Sequence, residues 1–454
     1  MQDWALSPLD ISFLTIETAA TPMNMGAVMV IGGEDEAAPD PERMLALLRE
    51  RTMEVPRLRR KLGSDWLPFG GASWVADPDF DIHRHVQRTR ARGQGGRAEL
   101  NAWIARTLAD PLDRRRPLWE LHLLTGLADG SVALMMKMHH AFLDGLGAVA
   151  LAYALADGGS PDRLPGPPAT DGRKAAARSV ARRLVGPLAD VTQPRTLART
   201  AMHAAGTAAG VVSTMTRPGH GLPFDRTVSP AREFVSASVP MADLRLVRKL
   251  HGGPGASAND VLVALMAGAL RTWLSDLRLD TDRTIRAMVP VGSSRPPVTG
   301  GAANNFSAFL VDLPVNEPDP VVRVRAVCEA MTHNRAIGPE GGAGAVQLLT
   351  NLLPPAVVRL GGPVMAARAA RLFDVLVTTV PLPRPLALDG IPCTELYPVA
   401  PLAQGQPLGI ALSTYRGHGY IGISADPVAV PDPAALAAAV PAELERLLAL
   451  SPQP

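Results

Sequence analysis

The stretch MKMHHAFLDG (136–145) sets two adjacent histidines, His139 and His140, ahead of Asp144 and Gly145. Imidazole, with an unperturbed pKa of about 6.5, takes a proton from a hydroxyl near neutral pH and returns it later, so one of the pair is a candidate general base. Such a base needs a neighbour that orders it, and a carboxylate just past the turn, Asp144, is placed to organise that turn. The opposite reading is that both are satisfied core histidines. The residues argue against other chemistries. There is no H-E-x-x-H helix, no Cys/His cluster with zinc spacing and no G-x-S-x-G elbow, so no metal and no serine nucleophile is expected.

The elements around the pair are legible from hydrophobic period. SVALMMKM (131–138) and MGAVMVIG (25–32) are short apolar runs bounded by Gly or Asp, as in strands buried on both faces. If the strand runs on to residue 140, alternation aims the two histidines at opposite faces, so they cannot chelate one small ligand. Gly145 and Gly147 let the backbone bend into a helix, LGAVALAYALAD. PERMLALLRERTM (41–53) and residues 435–450 read as helices, the latter interrupted by Pro441. SANDVLVALMAGALRTWL (257–274) is another, with Ser257 and Asp260 as a capping pair and Val261, Leu265, Ala269 and Trp273 on one face. FVSASVPMADLRLVRKL is a strand leading into a helix, and 304–315 alternates as a strand. The class is α/β (α+β).

With 454 residues, 47% of them hydrophobic, the chain is long enough for two cores. We expect an N-terminal domain over 1–164, a linker over 165–232 and a C-terminal domain over 233–454. The linker carries seven basic residues against one acidic between 173 and 199, and reads as basic amphipathic helices that are either a solvated crossover or a membrane-surface contact. A net charge of +2 and 4% aromatic residues argue against nucleic acid as a partner. Cys328 and Cys393 lack metal-type spacing and fit a reducing compartment. The N-terminus has no basic n-region or apolar h-region, and no run approaches the ~20 residues of a membrane span, so a cytoplasmic protein is expected. A mean hydropathy of +0.10 leaves room for a membrane-facing surface.

HHAFLDG resembles the H-H-x-x-x-D-G motif of CoA-dependent acyltransferases of the chloramphenicol acetyltransferase-like superfamily, which includes peptide-synthetase condensation domains. The flanking blocks narrow the likeness. LSPLDISFLTIETAATPMNMGAV at the N-terminus, PLDRRRPLWELHLL at 111, the 257–274 helix, MVPVGSSR followed by NNFSAFLVDLP, and ELYPVAPLAQGQPLGIALSTYRGHGYIGISAD look like successive blocks of bacterial wax ester synthase/diacylglycerol acyltransferases. The likeness covers nearly the whole chain except the linker. One block departs from the family: TTVPLPRP (378–385) stands where an S-N-V-P-G-P block is common, which bears on the shape of one pocket wall.

The resemblance implies two chloramphenicol acetyltransferase-like αβ domains with the active site in a tunnel between them. It implies a fatty acyl-CoA donor, a long-chain alcohol or diacylglycerol acceptor, and no cofactor beyond acyl-CoA as co-substrate. His140 would deprotonate the acceptor hydroxyl, which attacks the thioester directly without an acyl-enzyme. His139, Asp144 and Gly145 would support it, with Arg295 as the candidate partner of Asp144. Asn259 is the candidate oxyanion donor, its alternative being a helix cap. Pro117, Leu118 and Trp119 shape the acyl site or are a packed turn; Asn304 and Asn305 are site residues or strand-end amides. Other readings are the same chemistry on a polyketide or glycolipid hydroxyl, and a catalytically silent lipid- or CoA-binding relative. The lipid substrates imply peripheral contact with a membrane or lipid-droplet surface.

Overall fold

A computed structural model describes residues 4–63, 72–160, 221–223, 227–292, 306–337 and 372–450. Most of the basic linker, where amphipathic helices are expected, lies outside these residues, as do Arg295, Asn304 and Asn305.

Two six-stranded sheets dominate. The first has the order β12 (Ala387–Leu388), β13 (Ile391–Val399), β2 (Asn24–Ile31), β7 (Val132–His139), β6 (Trp119–Thr125), β5 (Val86–Arg90). The second runs β10 (Phe306–Leu313), β9 (Ile285–Gly292), β11 (Val375–Thr379), β14 (Leu408–Tyr415), β15 (His418–Ala425), β8 (Glu233–Pro240). A small sheet joins β1 (Trp4–Ala5), β4 (Ser73–Ala76) and β3 (Arg60–Leu62). Each large sheet carries its own apolar core.

The apolar runs became central strands for the reason their sequences suggest. Every residue of β7 is buried, and it pairs antiparallel with β2 and β6. Register is tight at Gly26, opposite Lys137: a Cβ there would lie 1.7 Å from the Met136 carbonyl oxygen, so only glycine permits the approach. In one respect the sheet corrects the sequence reading. β12 and β13, assigned from sequence to the C-terminal unit, are built into the N-terminal sheet, with β13 antiparallel to β2. The two halves are thus stitched together by β-pairing rather than merely tethered.

Nine helices among the described residues cover the sheets, and four of them matter for the site. These are α1 (Pro8–Ile16), α5 (Gly145–Leu155), α7 (Ala258–Asp276) and α8 (Pro320–Ile337), numbered with α2 (Pro41–Met53), α3 (Ile82–His85), α4 (Arg97–Ala109), α6 (Met241–His251) and α9 (Pro433–Ala449). Capping boxes start α1 (Ser7 with Asp10) and α7 (Ser257 with Asp260), each side chain accepting the other residue's backbone N–H. Cys328 and Cys393 are free and buried, and burial pushes both thiols up to about 12.

Candidate active site

β7 ends at His139, and the chain turns there: the His139 carbonyl accepts the Phe142 N–H at 2.8 Å. His140 is therefore the first residue of a turn rather than the last of a strand, but the two rings still part company. His139 is buried, its Nδ1 accepting the Ala141 N–H at 3.0 Å and its Nε2 3.4 Å from Glu17 Oε1. The His140 ring lies in the wall of a cavity and stacks on Phe13 of α1, centroids 4.0 Å apart and planes 22° from parallel. Its backbone N–H donates to the Met23 carbonyl at 2.9 Å.

Asp144 is the N-cap of α5: its Oδ1 accepts the Gly147 N–H at 2.7 Å, satisfying one of the helix's orphan donors. It is 7% exposed, so its charge needs a counter-charge. Arg295, the sequence candidate, lies outside the described residues. Within them, Arg57 senses the Asp144 charge. Burial pulls Arg57 down to about 10, while the carboxylates of Asp10 and Asp144 pull it back up. Its Nη2 donates to the Phe142 carbonyl inside the histidine turn at 2.6 Å, and its guanidinium lies 5.3 Å from the Phe142 ring centroid. Arg57 thus holds the histidine turn through Phe142 and lies in the field of Asp10 at the start of α1 and of Asp144 at the start of α5. Nothing in its sequence surroundings marked it.

The cavity, of about 910 Å3, lies between the two large sheets. Leu9, Phe13 and Ile16 of α1, Met25 and Met29 of β2, and Ala148, Val149 and Ala152 of α5 line it from the N-terminal half. Met288, Phe309, Leu376 and Leu396 line it from strands of the other half or of the joined sheet. Its few polar groups include His140, Asp144, Ser257, Asn259 and Arg335. A large apolar chamber with a handful of converging polar side chains is the form of a small-molecule site, near the top of the usual range of roughly 300–1,000 Å3.

Asn259 is the second residue of α7, and the capping of that helix is done by Ser257, so Asn259 is not its cap. Its side chain reaches the cavity, and its Oδ1 is buried with no donor in range among the described residues. Asp260 beside it is fully buried and bound by both Arg335 nitrogens, at 2.7 and 2.8 Å. Pro117, Leu118 and Trp119 are all buried and are not among the lining residues. They form a packed turn behind the site. The Leu118 carbonyl accepts the His139 N–H at 3.0 Å, and Trp119 Nε1 donates to the Leu58 carbonyl at 2.7 Å. The departing TTVPLPRP block does reach the cavity. Thr378 to Leu382 line it, and a Cβ on Gly145 would sit 3.4 Å from a Val380 methyl.

Sequence reading also missed Glu17 and Arg114. Glu17 accepts Arg114 Nε at 2.9 Å and Nη2 at 2.5 Å, and burial, which raises its pKa, is outweighed by His139 and Arg114, which hold its carboxyl at about 2. Among the described residues no group of three or more His, Cys, Asp or Glu is arranged to hold a metal, and no helix is long and apolar enough to cross a membrane.

The chain is similar to known proteins over nearly its whole length. The family model of the wax ester synthase/diacylglycerol acyltransferase catalytic domain matches residues 6–262, and that of the C-terminal domain of the same family matches 302–448. Proteins of Mycobacterium bovis and Mycobacterium tuberculosis, named "putative" and "probable" diacylglycerol O-acyltransferase, are each 31% identical over 458 residues, covering 98% of this chain and 96% of the relative. Among solved structures, the wax ester synthase/diacylglycerol acyltransferase of Marinobacter aquaeolei VT8 shares the fold, with a TM-score of 0.70 at 22% identity over 98% of each chain. A trichothecene 15-O-acetyltransferase of Fusarium sporotrichioides shares it with a TM-score of 0.63 at 12% identity, covering 99% of this chain and 95% of that one.

Proposed function

The chain belongs to the wax ester synthase/diacylglycerol acyltransferase family, and on that premise we propose that this acyltransferase esterifies a long-chain alcohol or a diacylglycerol with the acyl group of a fatty acyl-CoA. The observation that carries the reading is an apolar chamber between the two halves with the His140 ring in its wall. An alkyl chain laid in such a chamber leaves water, and each buried methylene contributes roughly 0.8 kcal/mol, so long chains are favoured over short ones.

The chemistry follows from the residues around the chamber. The His140 imidazole takes the acceptor's hydroxyl proton as the oxygen bonds to the thioester carbonyl carbon. The carbonyl oxygen becomes the oxyanion of a tetrahedral intermediate, for which Asn259, in the cavity lining at the start of α7, is the donor. As the C–S bond breaks, imidazolium returns the proton to the thiolate and free CoA leaves. No covalent acyl-enzyme is needed, because the base activates the acceptor and not a side-chain nucleophile. Phe13, stacked on the ring, fixes its plane.

The lipid substrates are met at an interface, which we propose to be a membrane or lipid-droplet surface contacted from the cytoplasm. The basic segment at 173–199 is one candidate surface. A second supporting feature is α6, on which Leu246 and Leu250 are exposed beside Arg245, Arg248 and Lys249; four residues past its end Gly255 lines the cavity.

The test is release of free CoA from palmitoyl-CoA with hexadecanol, with diacylglycerol and with no acceptor, side by side. Release that needs one of the two acceptors supports the reading. Acceptor-independent release, or none with either, contradicts it, and the latter leaves a silent acyl-CoA-binding relative.

A further inference from the structure

Glu17, just past the C-terminal end of α1, lies beside His139 and is linked to His140 through the Met23 backbone. Its Oε1 faces His139 Nε2 at 3.4 Å and also accepts the Met23 N–H at 3.2 Å, while the Met23 carbonyl accepts the His140 N–H at 2.9 Å. One turn earlier on the same helix, Phe13 stacks on the His140 ring. The carboxylate therefore closes a loop: α1 supplies the plate under the His140 ring, and the chain returning from α1 through Met23 holds the His140 backbone. His139 completes it. With Nδ1 accepting the Ala141 N–H, the ring carries a proton on Nε2, which lies 3.4 Å from Glu17 Oε1, within charge range but outside hydrogen-bond geometry.

The far side of the carboxylate is held just as firmly. Arg114 grips Oε2 with two nitrogens and donates from Nη2 to the Leu14 carbonyl at 2.6 Å, back on α1. Arg114 belongs to the same segment as Leu118, whose carbonyl fixes the His139 N–H. That segment, which does not reach the cavity, thus acts on the site from behind at two points.

We propose that Glu17 is the positioning residue of this site, a buried anion that orients His140 through Met23 and His139 without itself touching substrate. The proposal rests on His140 being the base. The Glu17 side chain is only 10% exposed, so the anion's field reaches the histidines with little screening by water.

The experiment compares wild type, Glu17→Gln, His139→Gln, the double variant and Glu17→Asp, using palmitoyl-CoA and hexadecanol, with kcat and KM measured across pH and melting curves in parallel. Displacing a base by about 1 Å costs on the order of 100-fold, so Glu17→Gln should lower kcat by about 10- to 100-fold while KM for palmitoyl-CoA changes less than about threefold. Loss of a nearby negative charge disfavours imidazolium, so the apparent pKa of the acid limb should fall in Glu17→Gln and stay in place in Glu17→Asp. The double variant should be no slower than its slower parent, since both act on one device. A kcat within twofold of wild type, or an unmoved limb with additive losses, overturns the proposal. His140→Ala as a control separates the two claims. If that variant is inactive and Glu17→Gln is not, only the positioning role fails; if it stays active, the base assignment fails.

Discussion

Replacing Asp144 separates two jobs that one side chain performs. Asp144→Asn keeps an oxygen where Oδ1 accepts the Gly147 N–H at 2.7 Å and removes the charge; Asp144→Ala removes both. The charge acts on Arg57, which is 6% exposed and keeps Asp10 as a second counter-charge. Breaking a buried pair on one side typically costs about 3–5 kcal/mol; because Asp144 acts on Arg57 as the second of two carboxylate charges, a loss of no more than about 3 kcal/mol is expected for Asp144→Asn. Losing the cap adds about 1 kcal/mol in Asp144→Ala. Urea unfolding at pH 7, followed by tryptophan fluorescence, measures both, with acyl transfer assayed on the same samples. Adding Arg57→Met to Asp144→Asn should recover part of the loss, because a buried cation left with one counter-charge instead of two is its source. Unchanged stability in Asp144→Asn with activity gone would refute this account and give Asp144 a chemical role.

Acid should weaken the fold through two carboxylates. For Glu17, and for Glu120, where burial raises the pKa but His122 and Lys137 outweigh it, the folded value is about 2 against 4.5 for the free group. A depressed carboxylate contributes stability that is present above 4.5 and lost as pH falls towards 2, about 3 kcal/mol for each group. Glu120→Gln, outside the cavity lining, should therefore flatten the pH dependence of urea midpoints in that window, and an unchanged slope would refute it. Ala148→Phe, filling the cavity beside α5, should shift preference towards shorter acyl or alcohol chains in a chain-length series, and an unshifted profile would place the alkyl chain elsewhere. Changing Arg178, Arg182 and Arg183 to Glu should abolish salt-sensitive pelleting with anionic vesicles; equal pelleting of wild type and variant would leave the segment a plain linker.

What could be read from sequence was local. β2, β7, α2 and α7 follow from apolar period and caps within a few residues of their observed bounds, because each is set by neighbours close in the chain. The divergence of His139 and His140 was legible too, although a turn at His140 produces it rather than strand alternation alone. Long-range pairing was not legible. The swap of β13 into the N-terminal sheet depends on register with β2, some 365 residues away, and neither strand states its partner. Arg57, Glu17 and Arg114 were missed for a similar reason: each is an ordinary charge in sequence and acquires meaning only where the fold buries it against the histidine turn. Pro117 to Trp119 lie beneath the site instead of in it, since a buried turn and a pocket wall share the same apolar residues.

The claim that His140 is the base is tested most directly by the rate of palmitoyl transfer to hexadecanol in His140→Ala, with His139→Ala beside it and melting curves to verify the fold. A general base typically contributes a factor of about 10² to 10⁴, so His140→Ala should lose at least that much at an unchanged melting temperature, with a smaller loss in His139→Ala. A folded His140→Ala enzyme that keeps more than roughly a tenth of wild-type turnover would contradict the account.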